Sequence, residues 1–299
     1  MKNIIKHIKD NDLIPVIVAH YGNHYYLKYV INIAAKNNFV FLLGDESNVS
    51  AVDNKKSFHL SMSEYNSTAL DFKSYFKNYS NYNDYYAWFI SARVFMANQF
   101  LKKYDLPYCF FIDSDNFILL NVSEYPFDRT KSFYTLLSDF DNPYRMAAQI
   151  GNAFMTQECM DEFEKLCYEI YNDVNNGFSL IKSKIDYHNN GNNPGGICEM
   201  TLFYLLSKRI PFINIFEIKD NKIFDHHPGT AEYLNDRYYF KMQSNKQSHN
   251  QMKEMIIKNN GIYILDKYNN EIKLNNIHFN DWLKKLIPSY YEQIIKILN

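Results

Sequence analysis

The 299 residues carry a formal net charge of −1, with 26 Tyr, 23 Phe and only four Cys among them. That length suffices for one large domain or two small ones with a sizeable core, and the near-balanced charge gives no reason to expect a nucleic-acid partner. Cys109, Cys159, Cys167 and Cys198 form no C-x-x-C pair, residues 1–13 lack the apolar core of a secretory leader, and no apolar run is long enough to span a bilayer. The expectation is a cytoplasmic protein with reduced, mostly buried thiols, at most peripheral at the inner face of a membrane.

Residues 14–19 read as a first buried strand, followed by a turn, His20-Tyr21-Gly22-Asn23, in which Gly22 can take a positive φ. Leu27, Val30, Ile31 and Ala34 at helical spacing predict a helix over 24–36, stopped by Asn37-Asn38. The next strand is predicted at 39–43, with Gly44-Asp45-Glu46-Ser47 at its carboxyl end. A strand–helix–strand unit places its loops where open α/β sheets take ligands. His20, Tyr21 and Asp45 are therefore candidate nucleotide contacts, with an ordinary polar turn as the alternative for each. A short strand at 57–60 and an aperiodic, Tyr-rich tract at 65–82, read as a loop with helical pieces covering the site, lead to the longest helical pattern, 84–104. That helix is apolar on nearly every side. Arg93 inside it needs an anionic partner, either a structural carboxylate or a ligand phosphate.

After Asp105-Leu106-Pro107, the uncharged run 109–112 ends in Asp113-Ser114-Asp115, and apolar residues resume to Leu120. The run reads as a strand buried on both faces. Where strand geometry persists, residues i and i+2 point the same way, so Asp113 and Asp115 are expected to face one site. Two like charges held together are unfavourable unless something positive lies between them, and a divalent cation with oxygen ligands is the natural candidate. Further strands are predicted at 133–137, near 146–154 and at 211–216, helices at 157–172 and 197–207, and a flexible loop of breakers at 187–196. Glu199, in the first turn of the second of these helices, is either a general base or an acid stabilised by the helix dipole.

D-x-D also occurs as Asp10-Asn11-Asp12 and Asp139-Phe140-Asp141, which read as solvated turns. Only Asp113-Ser114-Asp115 ends a buried strand and follows a helix carrying a nearly buried Arg. Far downstream, His278 lies between Ile277 and Phe279, with Lys284 six residues on. An imidazole so placed is either a core histidine bonded to backbone or a metal ligand. His226-His227-Pro228-Gly229 reads as a surface or acceptor-side loop, because adjacent residues chelate one ion poorly. The tail from Trp282 to Leu298 mixes Lys284, Lys285 and Lys296 with an apolar stripe. It is either a helix packed on the core or a membrane-surface helix.

Ala92-Arg93, the Leu106-Pro107 turn, the strand with Asp113-Ser114-Asp115 and the late His278-Phe279…Lys284 together resemble the D-x-D glycosyltransferases of GT-A fold, especially the family-8-like lipopolysaccharide and glycogenin-type enzymes. The likeness covers residues 14 to about 120 and a short C-terminal patch. It implies an α/β, Rossmann-like fold with a mixed, mainly parallel sheet flanked by helices. It also implies that Asp113, Asp115 and His278 coordinate Mn²⁺ (or Mg²⁺) on a nucleotide-sugar diphosphate, with Lys284 on the phosphates and Arg93 near the donor. The implied donor is a UDP-sugar and the implied acceptor a glycan or glycolipid. Two positions depart from the pattern. Asp281 stands where the family has Gly, so the local backbone there is expected to differ. Glu199-Met200 stands where the family has an Asp-Gln pair whose Gln lies beside the anomeric carbon. Met200 offers no carbonyl oxygen, so retention of configuration does not carry over, whereas Glu199 acting as a base suits inversion.

Elementary chemistry leads the same way: a departing nucleoside diphosphate gathers negative charge, and a cation fixed by two carboxylates and an imidazole stabilises it. With no internal repeat and no Pro/Ser-rich linker, one domain over 1–299 is expected. Its nucleotide-sugar-binding lobe would span about 14–121, and its acceptor lobe, with the C-terminal metal and phosphate patch, about 122–299. A haloacid-dehalogenase-type phosphohydrolase using Asp113 and Asp115, or a non-catalytic sugar-binding module, is the alternative.

Overall fold

A computed structural model describes residues 1–136, 144–190, 195–225, 227–229, 240–242 and 252–298. In chain order its strands are β1 (Val16–His20), β2 (Val40–Gly44), β3 (Ser57–Ser61), β4 (Tyr108–Ile112), β5 (Asn116–Ile118), β6 (Ser132–Leu136), β7 (Ala148–Thr156) and β8 (Phe212–Asn214), then β9 (Lys222–Ile223), β10 (Met255–Lys258), β11 (Gly261–Leu265), β12 (Glu271–Leu274) and β13 (Asn276–His278). The α-helices among the described residues are α1 (Lys2–Asp10), α2 (Leu27–Asn37), α3 (Ser67–Lys73), α4 (Asp84–Tyr104), α5 (Gln157–Tyr171), α6 (Ser179–Asn190), α7 (Glu199–Leu206) and α8 (Ile287–Leu298).

Seven strands form the central sheet in the order β3-β2-β1-β4-β7-β6-β8. β1, β2, β3 and β4 run parallel, as do β6 and β8, while β7 is antiparallel to both its neighbours. The fold is thus mixed α/β, with a mainly parallel sheet flanked by helices. Parallel neighbours need crossover helices, which cover both faces and make the strands read as unbroken apolar runs. Alternate residues sort accordingly. Ile17, Ala19, Phe41, Leu43, Cys109 and Phe111 enter the layer shared with α4 and α5. Val16, Val18, Val40, Leu42, Phe110 and Ile112 enter the opposite layer, shared with α2 and α8.

The chain runs outward from β1 to β3, then returns to lay β4 on the other side of β1. Strand order therefore reverses between β1 and β4, the point at which open α/β sheets leave a crevice beyond their carboxyl ends. His20 closes β1 and Ile112 closes β4, so the turn after Ile112 opens into that crevice. α4 lies beneath it. The Asn83 side chain caps its start by accepting from Tyr86 N, and Asp105 ends it in the left-handed region at φ 51°. Apolar on almost every side, this helix is buried from Ala87 to Asn98 and carries Arg93, 9 % exposed, into the interior.

Several expectations change. The strand expected at 109–112 is β4, whereas the apolar residues that resume after Asp115 form β5, which leaves the central sheet to pair with β13. Residues 187–190, expected in a loop, are the last turn of α6, whereas 191–194 lie outside the described residues. A four-stranded sheet in the order β10-β11-β12-β9 was not foreseen, although Asn259-Asn260-Gly261 between two apolar runs is a hairpin signal. Asp10-Asn11-Asp12 is exposed at the end of α1, as expected, and Asp139-Phe140-Asp141 lies outside the described residues. The four cysteines are free, with Cys109, Cys159 and Cys167 buried. In the tail, Ile287 and Ile294 are buried, and Tyr291 of α8 meets Tyr29 of α2 with ring centroids 4.8 Å apart. No helix among the described residues is long and apolar enough to cross a membrane.

Candidate functional site

Asp113 and Asp115 come together through a turn, not through strand alternation. Asp113 N donates to Gly151 O (3.1 Å), which carries the β4–β7 ladder one step beyond β4, and Asn116 N donates back to Asp113 O (3.2 Å). β5 then pairs antiparallel with β13 so that Asn116 stands opposite His278, and Phe279 N donates to Asp115 O (2.8 Å). This pairing brings His278 beside the two carboxylates. Its Nε2 lies 3.1 Å from Asp115 Oδ1 and 3.4 Å from Asp113 Oδ2. A buried amide network locks the junction: Asn276 Nδ2 donates to Asn116 Oδ1 (3.0 Å) and to Asp225 O (2.7 Å). Asp225 in turn is ion-paired to Lys253 at 2.5 Å, both side chains fully buried.

The floor of the site is the β7 backbone. A Cβ on Gly151 would stand 2.5 Å from His278 Cε1 and 2.7 Å from Asp113 Oδ2, so only a glycine lets the strand pass this close. One donor atom each from Asp113, Asp115 and His278 lies within 4.8 Å of the others. Two carboxylates and one imidazole form a mixed oxygen–nitrogen donor set that could hold a metal ion.

Cations brace this cluster. Arg93 Nη1 donates to Asp113 Oδ1 (2.6 Å), while Nη2 stands 3.6 Å from Glu199 Oε1. Lys284 Nζ lies 3.1 Å from Asp115 Oδ2. Burial alone would raise the Asp113 pKa, but the Arg93 guanidinium and the His278 imidazole outweigh it and hold the carboxyl well below the usual range. Asp115 is likewise lowered against its burial, chiefly by His278. The reciprocal effect appears on the bases. Burial would depress His278, yet the Asp115 and Asp113 carboxylates push it up to about 10, and Lys284 is raised against its burial by Asp115. Glu199 differs: burial pushes it above the ordinary carboxylate value, and Arg93 only partly opposes this. Its Oε2 is buried with no hydrogen-bond partner among the described residues.

These groups meet at a cavity of about 280 Å³. Of the residues singled out in the sequence, His20, Tyr21, Arg93, Asp113, Asp115, Glu199 and Lys284 line it. His278, 1 % exposed, sits behind the carboxylates. Burial and the neighbouring His24 lower His20 to about 4, so it is neutral at physiological pH, with Nε2 2.8 Å from His24 Nδ1. Tyr21 packs edge-on against Phe89 and Tyr85, with centroids 4.7 and 4.8 Å apart. Asp45 is not among the lining residues. Its Oδ2 accepts from Gly22 N (2.6 Å) and its Oδ1 from Ser47 N (2.8 Å), so it ties the loops after β1 and β2 together. Gly22 takes the expected positive φ of 80°, and Asp281 takes φ 48°, the left-handed conformation that glycine adopts freely. His227 Nδ1 accepts from Gly229 N (2.8 Å), closing its own loop, and His226 lies outside the described residues.

The sequence reading missed Gly151, Gln149, and the wall residues His24, Tyr26 and Tyr86. For Gly151 a signal existed, since an isolated glycine inside a strand pattern marks a close backbone approach. For the others no local pattern distinguishes a wall residue from a surface one. No protein-family model and no curated protein matches the chain.

Proposed function

We propose that the chain is a metal-dependent glycosyltransferase of GT-A type that moves a sugar from a nucleotide-sugar donor, by resemblance a UDP-sugar, to a glycan or glycolipid acceptor. One observation carries this reading. At the strand-order reversal, Asp113, Asp115 and His278 form a possible cation site at one end of a cavity that Arg93 and Lys284 also line. A Mn²⁺ or Mg²⁺ ion held by those three residues would neutralise charge developing on the departing diphosphate.

The chain's own groups supply the rest. Arg93 and Lys284 hold the two carboxylates ionised and oriented, and their remaining N–H donors would meet phosphate oxygens at the cavity wall. His20, neutral, offers a hydrogen bond there without charge. Glu199 Oε2 would take the proton of the acceptor hydroxyl as that oxygen bonds to the anomeric carbon and the bond to the diphosphate breaks. A carboxylate whose pKa is raised by burial is a better base for this than an exposed one.

Asp115→Ala tests the reading. UDP release from a UDP-sugar with Mn²⁺ is expected to be lost while circular dichroism shows the fold retained. Full activity of this variant, or of the wild type in EDTA, refutes the proposal. Release of inorganic phosphate in place of UDP would favour the phosphohydrolase alternative.

A further inference from the structure

Each of the three candidate ligands has a group braced against it. Arg93 holds Asp113 and Lys284 holds Asp115, at 2.6 and 3.1 Å. Against His278 stands Gln149: its Nε2 is 3.4 Å from His278 Nδ1, and its Oε1 is buried with no hydrogen-bond partner among the described residues. Gln149 and Gly151 are two residues apart on β7 and so share one face of the strand. Gly151 leaves room for the Cε1 edge of the ring, and Gln149 meets the adjoining nitrogen.

On the metal-dependent reading above, we propose that Gln149 is the positioning residue that fixes the tautomer and orientation of His278 for cation binding, by presenting Oε1 to the Nδ1–H. Nε2 is the ring nitrogen that faces both carboxylates, so a cation shared with Asp113 and Asp115 takes the Nε2 lone pair. The ring hydrogen then resides on Nδ1, inside the protein, where an unpaired donor is unfavourable. With its nitrogen toward the ring, Gln149 offers a donor where an acceptor is needed, at a separation near the upper limit for a hydrogen bond. A half-turn of the amide brings Oε1 to the ring N–H and turns Nε2 into the place that Oε1 occupies here. Outer-sphere partners of this kind set ligand orientation as surely as the ligands themselves.

The test is Mn²⁺ affinity of the full-length chain without donor, read from the free-ion electron paramagnetic resonance signal. Gln149→Met keeps the side-chain length and removes the acceptor, and is expected to weaken binding about 10–100-fold. Gln149→Glu, which only accepts, is expected to bind at least as tightly as the wild type. Gln149→Met binding like wild type, or Gln149→Glu losing as much as Gln149→Met, overturns the proposal and leaves the metal reading standing. A wild type that does not bind Mn²⁺ overturns both. Should Gln149→Met fail to fold, the wild type decides alone. Long-range ¹H–¹⁵N spectra of the Zn²⁺-loaded chain should show His278 protonated at Nδ1 and metal-bound at Nε2, and the reverse assignment refutes the role.

Discussion

Gly151→Ala probes the packing on which the whole site rests. The added carbon would stand 2.5 Å from His278 Cε1, 3.1 Å from His278 Nδ1 and 2.7 Å from Asp113 Oδ2. Non-bonded carbons settle at about 3.5–4.0 Å, so the imidazole must retreat by about 1 Å or β7 must bow away. Neither is free to happen. Gly151 O accepts from Asp113 N at 3.1 Å and from Asn116 Nδ2 at 2.5 Å, and His278 is fixed by the β5–β13 pairing. Gly151 is not among the residues with positive φ, so the effect isolates the contact from backbone strain. Overpacking of this kind costs about 1–3 kcal/mol, and a displacement of about 1 Å at a functional group is enough for a loss of about 10²-fold. Urea unfolding in EDTA should therefore show the stability loss, and Mn²⁺ titration of the folded variant should show affinity lower by at least about 10-fold. Wild-type stability together with wild-type Mn²⁺ affinity would refute the claim that the β7 backbone forms the bed of the cluster.

Arg93→Met keeps the apolar length of the side chain and leaves Asp113 and Glu199 without their shared cation in the interior. Unfolding in EDTA should reveal a loss of about 3–5 kcal/mol, and an unchanged urea midpoint would show that the buried pair is unimportant to the fold. Glu199→Gln should lower kcat by about 10²–10⁴-fold with Mn²⁺ affinity unchanged, and undiminished turnover would remove Glu199 from the chemistry. Because burial raises the Glu199 pKa above its ordinary 4.5, wild-type kcat should climb with pH along a limb lying above that value, and Glu199→Gln should lack the limb. The linked stability term has the opposite sense. A raised folded-state pKa contributes stability fully below the unfolded value, and that contribution is lost as pH rises through the folded value. As pH rises above the ordinary carboxylate value of 4.5, urea midpoints should accordingly fall less steeply in Glu199→Gln than in wild type.

Much of this protein is legible in its sequence because the relevant forces are local. Unbroken apolar runs predict β1 and β2 to within two residues at either end, and capping by Asn83 and Asp105 sets α4 at 84–104, as its helical pattern predicts. An Arg within that apolar helix, and two carboxylates ending an uncharged run, mark themselves by being out of place in a buried setting. What the sequence could not decide is which distant segments pair. His278 and Asp115 are 163 residues apart, and no periodicity links them; the register of β5 against β13 does. Glu199 approaches Arg93, and Gln149 and Gly151 underlie His278, only because β7 runs beside β4 and α7 packs against the sheet. The charge pair after β4 was written in the chain. Its imidazole, its bed and its counter-ions were assembled by sheet pairing, since side-chain propensities act over a few residues whereas strand register fixes positions across the whole chain.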